Sequence, residues 1–304
     1  MLYNKIYFIL FIIFIGCAND TSINIIDDDN ESSLLEYSLD FQGNDNTLDI
    51  ITWNIENYPK HNLTNIYLTE IIDSLNVDII ALQEITSINA LNELANTLDN
   101  WDAYCGPNHY GQRNGFLINN NTIEYDAPYE ILTSVDDEPF TKFPLVLEFN
   151  FNNHDYIIIN NHFKCCGDGT ININDDYDEE YRRFYSIELI KEYIDNNLSM
   201  HRVILLGDLN DELIDTENVF QSLLDDSENY HFTDLNIAAN SDEYWSFPSW
   251  PSHIDHICIT NELFSNHQHT QTILIDQFLS NGFSEYEQYI SDHRPVVIQL
   301  NMQP

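Results

Sequence analysis

Four times in this 304-residue chain, a short apolar run of a length suited to a buried strand ends abruptly in an amide, a carboxylate or an imidazole. The four are Asp49-Ile-Ile-Thr-Trp53-Asn54-Ile-Glu56-Asn57, Asp78-Ile-Ile-Ala-Leu-Gln83-Glu84, Ile157-Ile-Ile-Asn-Asn161-His162 and Val203-Ile-Leu-Leu-Gly207-Asp208-Leu209-Asn210. Two further polar clusters, Trp250-Pro-Ser-His-Ile-Asp255-His256 and Ser291-Asp292-His293-Arg294-Pro295, stand directly before apolar runs. Polar side chains that terminate several buried strands can meet at one edge of a sheet. A carboxylate there is a hard ligand for a divalent cation, and an imidazole can donate a hydrogen bond or exchange a proton near neutral pH. Each block alone has an ordinary explanation, since Gly-Asp-Leu-Asn suits a turn and Leu-Gln-Glu suits the start of a helix. Together, the six predict one site.

The apolar runs predict strands over Leu48–Asn54, Val77–Leu82, Asn114–Ile118, Leu145–Phe151, Tyr156–Asn161, Arg202–Leu206, Ile254–Thr260 and Val296–Leu300. Helical periodicity lies at Leu63–Leu75, Ile88–Leu98, Glu179–Asn196 and Glu217–Leu224. Strands with helices between them imply α/β or α+β layering. Residues 47–302 are enough chain to bury a large core as one domain, and no repeat of solenoid period interrupts them.

This ordered set of blocks resembles the endonuclease/exonuclease/phosphatase superfamily, the metal-dependent phosphodiesterases that include DNase I, abasic-site endonucleases, sphingomyelinases and inositol-polyphosphate phosphatases. The resemblance covers residues 47–302. It implies a DNase I-like, four-layered αββα sandwich, with two packed mixed β-sheets flanked by helices. Glu84 becomes the principal ligand of Mg²⁺, Mn²⁺ or Ca²⁺, with Asn54, Glu56, Asp292 and Asp208 completing or supporting the metal set. Asn54 is expected to turn its amide oxygen to the metal and its NH₂ to a phosphate. Asp208 would orient or deprotonate the attacking water, or hold a second metal, while Asn210 bonds a phosphate oxygen. Two residues apart on an extended strand end, those two side chains would point the same way. The resemblance casts His293 as the residue that grips the phosphate or takes the nucleophile's proton, and Asp255 as the carboxylate that orients it. His162 becomes the general acid beside the leaving group.

Other residues allow two readings. Arg113, Lys164 and Arg182 are scarce cations that could contact phosphate or simply pair with the many acids. Trp245 and Trp250 could stack on bases or sugars, or pack inside their loop. His253 and His256 flank Asp255, and strand alternation turns one of them away from it.

The N-terminus carries one Lys, an apolar run from Ile6 to Ile15, then Gly16-Cys17. That run is too short to span a bilayer and fits the h-region of a signal peptide over residues 1–16. Phe-Ile-Gly-Cys resembles a bacterial lipobox, with Phe14 where Leu is usual, and implies cleavage before Cys17 and its lipidation. An ordinary secretion signal is the alternative. Residues 17–46, rich in Asp, Asn and Ser, read as an acidic flexible tether. The implied place is the cell envelope or surface of a bacterium. In that oxidising setting one disulfide is expected among Cys105, Cys165 and Cys166, with Cys258 a buried thiol.

The net charge of −41, with 51 acidic against 10 basic residues, excludes a large basic face. Binding to nucleic acid is therefore expected to be weak and metal-dependent, by a monomer. The leading reading is an exported endonuclease cleaving DNA or RNA. A phosphodiesterase or phosphatase acting on phospholipid headgroups or small phosphate esters is the enzymatic alternative. A non-catalytic surface-binding lipoprotein is the third, against which the intact set Glu84, Asp208, Asn210, Asp255, Asp292 and His293 argues.

Overall fold

The structure, a computed structural model, describes residues 33–35, 38–135 and 139–301. The expected signal peptide, Cys17 and the tether as far as residue 32 lie outside the described residues. In chain order the elements begin with β1 (Thr47–Tyr58), α1 (Thr64–Leu75), β2 (Ile79–Ile85), α2 (Ile88–Thr97), β3 (Trp101–Cys105) and β4 (Arg113–Asn119). Two short strands, β5 (Glu124–Tyr125) and β6 (Tyr129–Glu130), lead to β7 (Leu145–Phe151), β8 (His154–His162), α3 (Glu179–Asn197) and β9 (Arg202–Asp208). Then follow α4 (Gln221–Leu224), β10 (Tyr230–Phe232), α5 (Leu235–Ala238), β11 (Asp255–Thr260), β12 (His267–Thr272), α6 (Phe283–Tyr289) and β13 (Val296–Asn301).

The strands form two mixed sheets. One has the order β12-β13-β1-β2-β4-β3, the other β10-β11-β9-β8-β7-β5 with β6 also paired to β7. Each sheet contains one parallel pair, β1 with β2 and β8 with β9, and the remaining pairs are antiparallel. Parallel neighbours need a long crossover, and α1 and α3 supply it. Local sequence starts these helices. Ser87 accepts the Ala90 N–H at the head of α2, and Asp178 accepts the Tyr181 N–H at the head of α3. Glu179 and Glu180 add negative charge to the first turn of α3, where the helix dipole favours it.

Three apolar layers result, as a four-layered αββα sandwich requires. Trp53, Leu82, Leu68 and Leu91 pack between the first sheet and its helices. Ile50, Ile158, Leu206 and Ile257 pack between the sheets. Ile159, Leu205, Ile187 and Ile190 pack beneath α3. Side chains alternate along a strand, so each row facing the other sheet can be followed outward. Leu48 and Ile50 lead to Thr52 and Asn54; Ile158 leads to Asn160 and His162; Ile204 and Leu206 lead to Asp208; Ile259 and Ile257 lead back to Asp255. Asp208 pairs in register with both His162 and Asp255. The polar ends of the intersheet rows therefore meet at one edge.

Besides the short elements β3, β5, β6, β10, α5 and α6, which the apolar runs did not mark, the structure departs from the sequence expectations in three places. The helix expected over Glu217–Leu224 is reduced to α4, because Asn218 folds the preceding segment into a turn. Its amide donates to the Leu213 carbonyl at 2.8 Å and its oxygen accepts the Phe220 N–H at 2.8 Å. The described part of the expected tether packs against the domain. Leu35 bridges to Leu279, Phe41 is buried, and Glu70 accepts the backbone N–H groups of Leu34 and Leu35 at 3.0 Å. Edge strand β12 has no counterpart in the sequence reading, since His-Gln-His-Thr-Gln-Thr carries no apolar run. Among the described residues no helix is long and apolar enough to cross a membrane.

Candidate active site

Asn54, at the end of its row, donates from Nδ2 to Asp208 Oδ2 at 2.9 Å and to Glu84 Oε1 at 3.4 Å. Glu84 reaches this point through a register shift between β1 and β2, where its φ of 63° turns the side chain out of strand alternation. The Asn57 N–H at 3.0 Å and Gln112 Nε2 at 2.8 Å bond its other oxygen. His162 Nε2 lies 3.8 Å from Glu84 Oε1 and 3.6 Å from Asp208 Oδ2. Gly207 makes this convergence possible. Its φ is 142°, and a Cβ there would stand 2.0 Å from the Asn161 carbonyl oxygen. The Asn54 amide is reversed relative to expectation. Its oxygen accepts the Glu56 N–H at 3.0 Å, so its NH₂ bridges the two carboxylates.

His293 is fixed from both sides. Its Nδ1 is 2.7 Å from Asp255 Oδ2, and its Nε2 is 3.9 Å from both Asp208 Oδ2 and Asp292 Oδ1. Its carbonyl accepts the Tyr286 hydroxyl at 2.6 Å and Trp53 Nε1 at 3.1 Å. Ser291 Oγ donates to the Asn54 carbonyl at 2.6 Å and accepts the His293 N–H at 2.9 Å, tying this loop to β1. The Phe247 ring covers the imidazole at 4.6 Å. Burial opposes protonation of His293, but the Asp255 and Asp208 carboxylates outweigh it and raise its pKa to about 10. Burial pushes the Asp208 carboxyl well up, against the pull of His293. It likewise pushes Asp292 up to about 6. His162 moves the other way, held well below the usual imidazole range by burial and by the charges of Lys142 and His293.

These groups open into a cleft of about 910 Å³. Lys142, Gln112, Phe247 and Tyr110 line it and were not singled out from the sequence. Lys142 is buried on the loop before β7, its pKa lowered by burial and held up by Glu84 and Asp208. Lys164, Arg182 and Trp250 also line the cleft.

Several expected site residues are placed elsewhere. Arg113 is not among the lining residues. It turns to the Thr86 carbonyl at 3.4 Å, while the preceding Gln112 reaches Glu84. Trp245 is a packing residue, its indole N–H bonded to the Ile237 carbonyl at 3.2 Å. Trp250 remains 77% exposed on the rim. Glu56 pairs with Lys60 and accepts the Asp292 N–H at 3.0 Å, which joins it to Asp292 outside the cleft. Asn210 reaches the cleft, though not along an extended strand. Its φ is 55°, its N–H bonds Asp208 Oδ1 at 3.2 Å, and its Nδ2 donates to the Phe163 carbonyl at 3.3 Å. The expected disulfide is absent: Cys105, Cys165, Cys166 and Cys258 are free thiols. Cys105 belongs to the first sheet, whereas Cys165 and Cys166 follow the second sheet's β8.

A profile of the Endonuclease/Exonuclease/phosphatase family matches residues 51–293. The chain belongs to that family. Solved structures agree on the fold. D. rerio TDP2 complexed with single strand DNA product superposes with a TM-score of 0.66 at 16% identity, covering 85% of this chain and 100% of that one. An endonuclease/exonuclease/phosphatase family protein from Bacteroides thetaiotaomicron gives 0.62 at 15% identity, covering 85% and 98%. The human Nocturnin catalytic domain with bound sulfate anion gives 0.60 at 16% identity, covering 83% and 92%. A comparison with curated protein sequences finds no match.

Endonuclease/exonuclease/phosphatase proteins are divalent-metal-dependent phosphoesterases, and the residues here suit such an ion. Asp255 Oδ1 and Asp292 Oδ1 are buried without hydrogen-bond partners, and the carboxylates of Glu84, Asp208 and Asp255 gather at this edge beside His293. That is a donor set for a hard cation.

A second cluster, Asp234 with His253 and His256, also has ligand geometry, but protons occupy it. His253 Nδ1 accepts the Ser246 N–H at 3.2 Å, so its Nε2 carries the hydrogen that meets Asp234 at 3.0 Å. His256 faces acceptors with both nitrogens, Asp234 Oδ2 at 2.6 Å and the Asp211 carbonyl at 2.8 Å. Burial alone would raise Asp234, but the charge of His256 and hydrogen bonds from both histidines depress it below the usual carboxylate range. Burial disfavours the charged His256, yet Asp234 raises its pKa overall.

Asp234→Asn is expected to destabilise the protein by about 3–5 kcal/mol, because it leaves a buried imidazolium unpaired. The depressed Asp234 contributes fully above its unfolded value of about 4 and loses that contribution as pH falls through its folded value. The raised His256 contributes fully below its unfolded value of about 6.5 and loses its share as pH rises. Urea midpoints of the two proteins should therefore differ most between about pH 4 and 6.5. A difference that is flat across pH would contradict the ion pair.

Proposed function

We propose that the protein is an exported, metal-dependent phosphodiester hydrolase, and specifically an endonuclease acting on DNA or RNA. The observation that carries the hydrolase reading is the convergence of Glu84, Asn54, Asp208, His162 and the Asp255–His293 pair at one end of the intersheet core. In this reading Glu84, supported by Asn54 and Asp292, would hold Mg²⁺, Mn²⁺ or Ca²⁺. When bound, the ion supplies charge neutralisation of the phosphate and Lewis-acid activation.

The side chains supply the rest. Asp208, its carboxyl raised by burial, orients the attacking water and takes its proton. His293, protonated through neutral pH and steered by Asp255, donates from Nε2 to a phosphate oxygen. Lys142 and Asn210 add donors on the cleft wall. His162, whose Nε2 faces Glu84 and Asp208 on the cleft wall, serves the leaving oxygen as the general acid.

Two exposed aromatics on the cleft, Trp250 and Tyr110, support the nuclease reading, because their faces suit stacking on bases. The single-strand DNA product held by D. rerio TDP2 is consistent with it. Trp250→Ala is expected to raise KM for an oligonucleotide about tenfold, the scale of one stacked base, and to leave turnover of an aryl phosphodiester unchanged. Equal effects on both substrates would remove the stacking role.

The net charge of −41 favours the second reading, a phosphodiesterase acting on phospholipid headgroups or small esters. Plasmid DNA, RNA, sphingomyelin and an aryl phosphodiester, each offered with Mg²⁺, Mn²⁺, Ca²⁺ or chelator, separate the two. Lipid turnover without plasmid nicking would overturn the nuclease assignment. The apolar run from Ile6 to Ile15 followed by Cys17 supports a lipid-anchored place in the cell envelope. Mass spectrometry of the mature N-terminus tests it, and an unmodified Cys17 would sink it.

A further inference from the structure

Cys165 and Cys166 sit in the loop between β8 and α3, and both line the cleft. The hydrolytic chemistry uses neither. Both are exposed, and their sulfurs are 3.0 Å apart, with the Cys166 thiol donating to Cys165. Lys164 Nζ stands 3.8 Å from Cys165 Sγ and donates to the Cys165 carbonyl at 2.9 Å. A cation and a thiol donor thus meet on the one Cys165 sulfur.

The surrounding backbone is clamped. Buried Arg183 donates from Nη1 to the carbonyls of Lys164 at 2.8 Å and Cys166 at 2.7 Å, and from Nε to Asp211 at 2.7 Å. Gly167 follows with a φ of 121°, and a Cβ there would stand 2.1 Å from Glu180 Oε1. The loop thus presents two adjacent thiols in a fixed setting beside the cation that lines the cleft.

We propose that Cys165 and Cys166 form a redox-active vicinal dithiol, a modification site that closes to a disulfide by exchange with a low-molecular-weight disulfide such as cystine. Cys165 attacks one sulfur of the external disulfide, breaks its S–S bond and expels the first thiolate, leaving a mixed disulfide. Cys166 then attacks Cys165 Sγ and expels the second. The two cysteine protons leave with the two expelled thiolates as thiols, so two cysteines are oxidised and one external disulfide is reduced. Closure brings the sulfurs from 3.0 Å to bonding distance, an approach of about 1 Å.

Neighbouring Cα atoms are about 3.8 Å apart, below the roughly 4.4 Å minimum of relaxed disulfides. The ring is therefore strained, and strained exposed disulfides are the readily reduced ones. Because Arg183 holds the flanking carbonyls, the adjustment falls on the peptide between the cysteines. It displaces Lys164 from the Cys165 carbonyl and so alters the cleft wall.

The test incubates the full chain with cystine and reads both intact mass and turnover of an aryl phosphodiester. The expected result is a loss of 2 Da, mapped to the peptide containing Cys165 and Cys166 and reversed by dithiothreitol. With it, kcat/KM falls roughly fivefold, the scale of one exposed charge contact. Cys165→Ser/Cys166→Ser should show neither change, and Cys166→Ala should stop at a stable mixed disulfide. Unreacted thiols, a persistent mixed disulfide in the native chain, or a loss mapped to Cys105 or Cys258 would each overturn the proposal. A closed ring with unchanged turnover would overturn its link to the cleft. The turnover readout rests on the hydrolase reading, but the mass readout does not, so the two can fail separately.

Discussion

His293→Ala is expected to lower kcat by about 10²–10³, the range for removing a positioned donor to the charge that develops in the transition state. The structure concentrates unusual means on holding this one ring. Asp255 fixes Nδ1 at 2.7 Å, Phe247 covers the face, and Tyr286 with Trp53 pins the backbone carbonyl. Those contacts leave Nε2 as the nitrogen aimed towards Asp208 and Asp292. Asp255→Asn should give a parallel but smaller loss, since the amide still holds the ring but no longer supports its charge. Steady-state kinetics on the aryl phosphodiester, with circular dichroism to verify folding, read both. Wild-type kcat in His293→Ala would reject the assigned role.

The second large effect is expected from Glu84→Gln. Three donors converge on this carboxylate, from Asn54, Asn57 and Gln112. An amide offers one acceptor where the carboxylate offered two, and it carries no charge for a cation. Activity should fall by roughly 10² or more, and the Mg²⁺ concentration giving half-maximal activity should rise. Titration of activity against Mg²⁺ separates the two components. A lower kcat with unchanged metal requirement would move Glu84 out of the metal set and leave it a positioning role.

Much of the site was legible because strand chemistry has a period of two. Asn54, His162, Asp208 and Asp255 each extend a row that is apolar deeper in the intersheet core, and that pattern is written in the chain. His293 followed from its place directly before β13. What was not legible depends on geometry that a linear pattern does not encode. Glu84 was legible as the end of its block, but not the register shift and positive φ by which it reaches the site. Gln112 contacts it in place of Arg113, a difference of one residue at a strand entrance, where a single step changes the face.

Lys142 and Tyr110 stand on loops with no periodicity to mark them, and only the fold brings them to the cleft. Trp245 and Trp250 lie in one aromatic loop, yet one packs and the other stays exposed, a division that composition cannot make. Asn210 reads as the next in-phase residue after Asp208. The strand ends at Asp208, and Asn210 reaches the cleft through a left-handed turn.

The central claim is that this edge of the intersheet core hydrolyses phosphodiesters with a divalent cation. Its most direct measurement follows nicking of plasmid DNA by the full chain, first with Mg²⁺, then with excess chelator, then with Mg²⁺ restored. Nicking that stops with chelator, returns with Mg²⁺ and is absent from Asp208→Asn is the expected result. Nicking that persists in chelator, or survives in Asp208→Asn at the wild-type rate, would contradict the account.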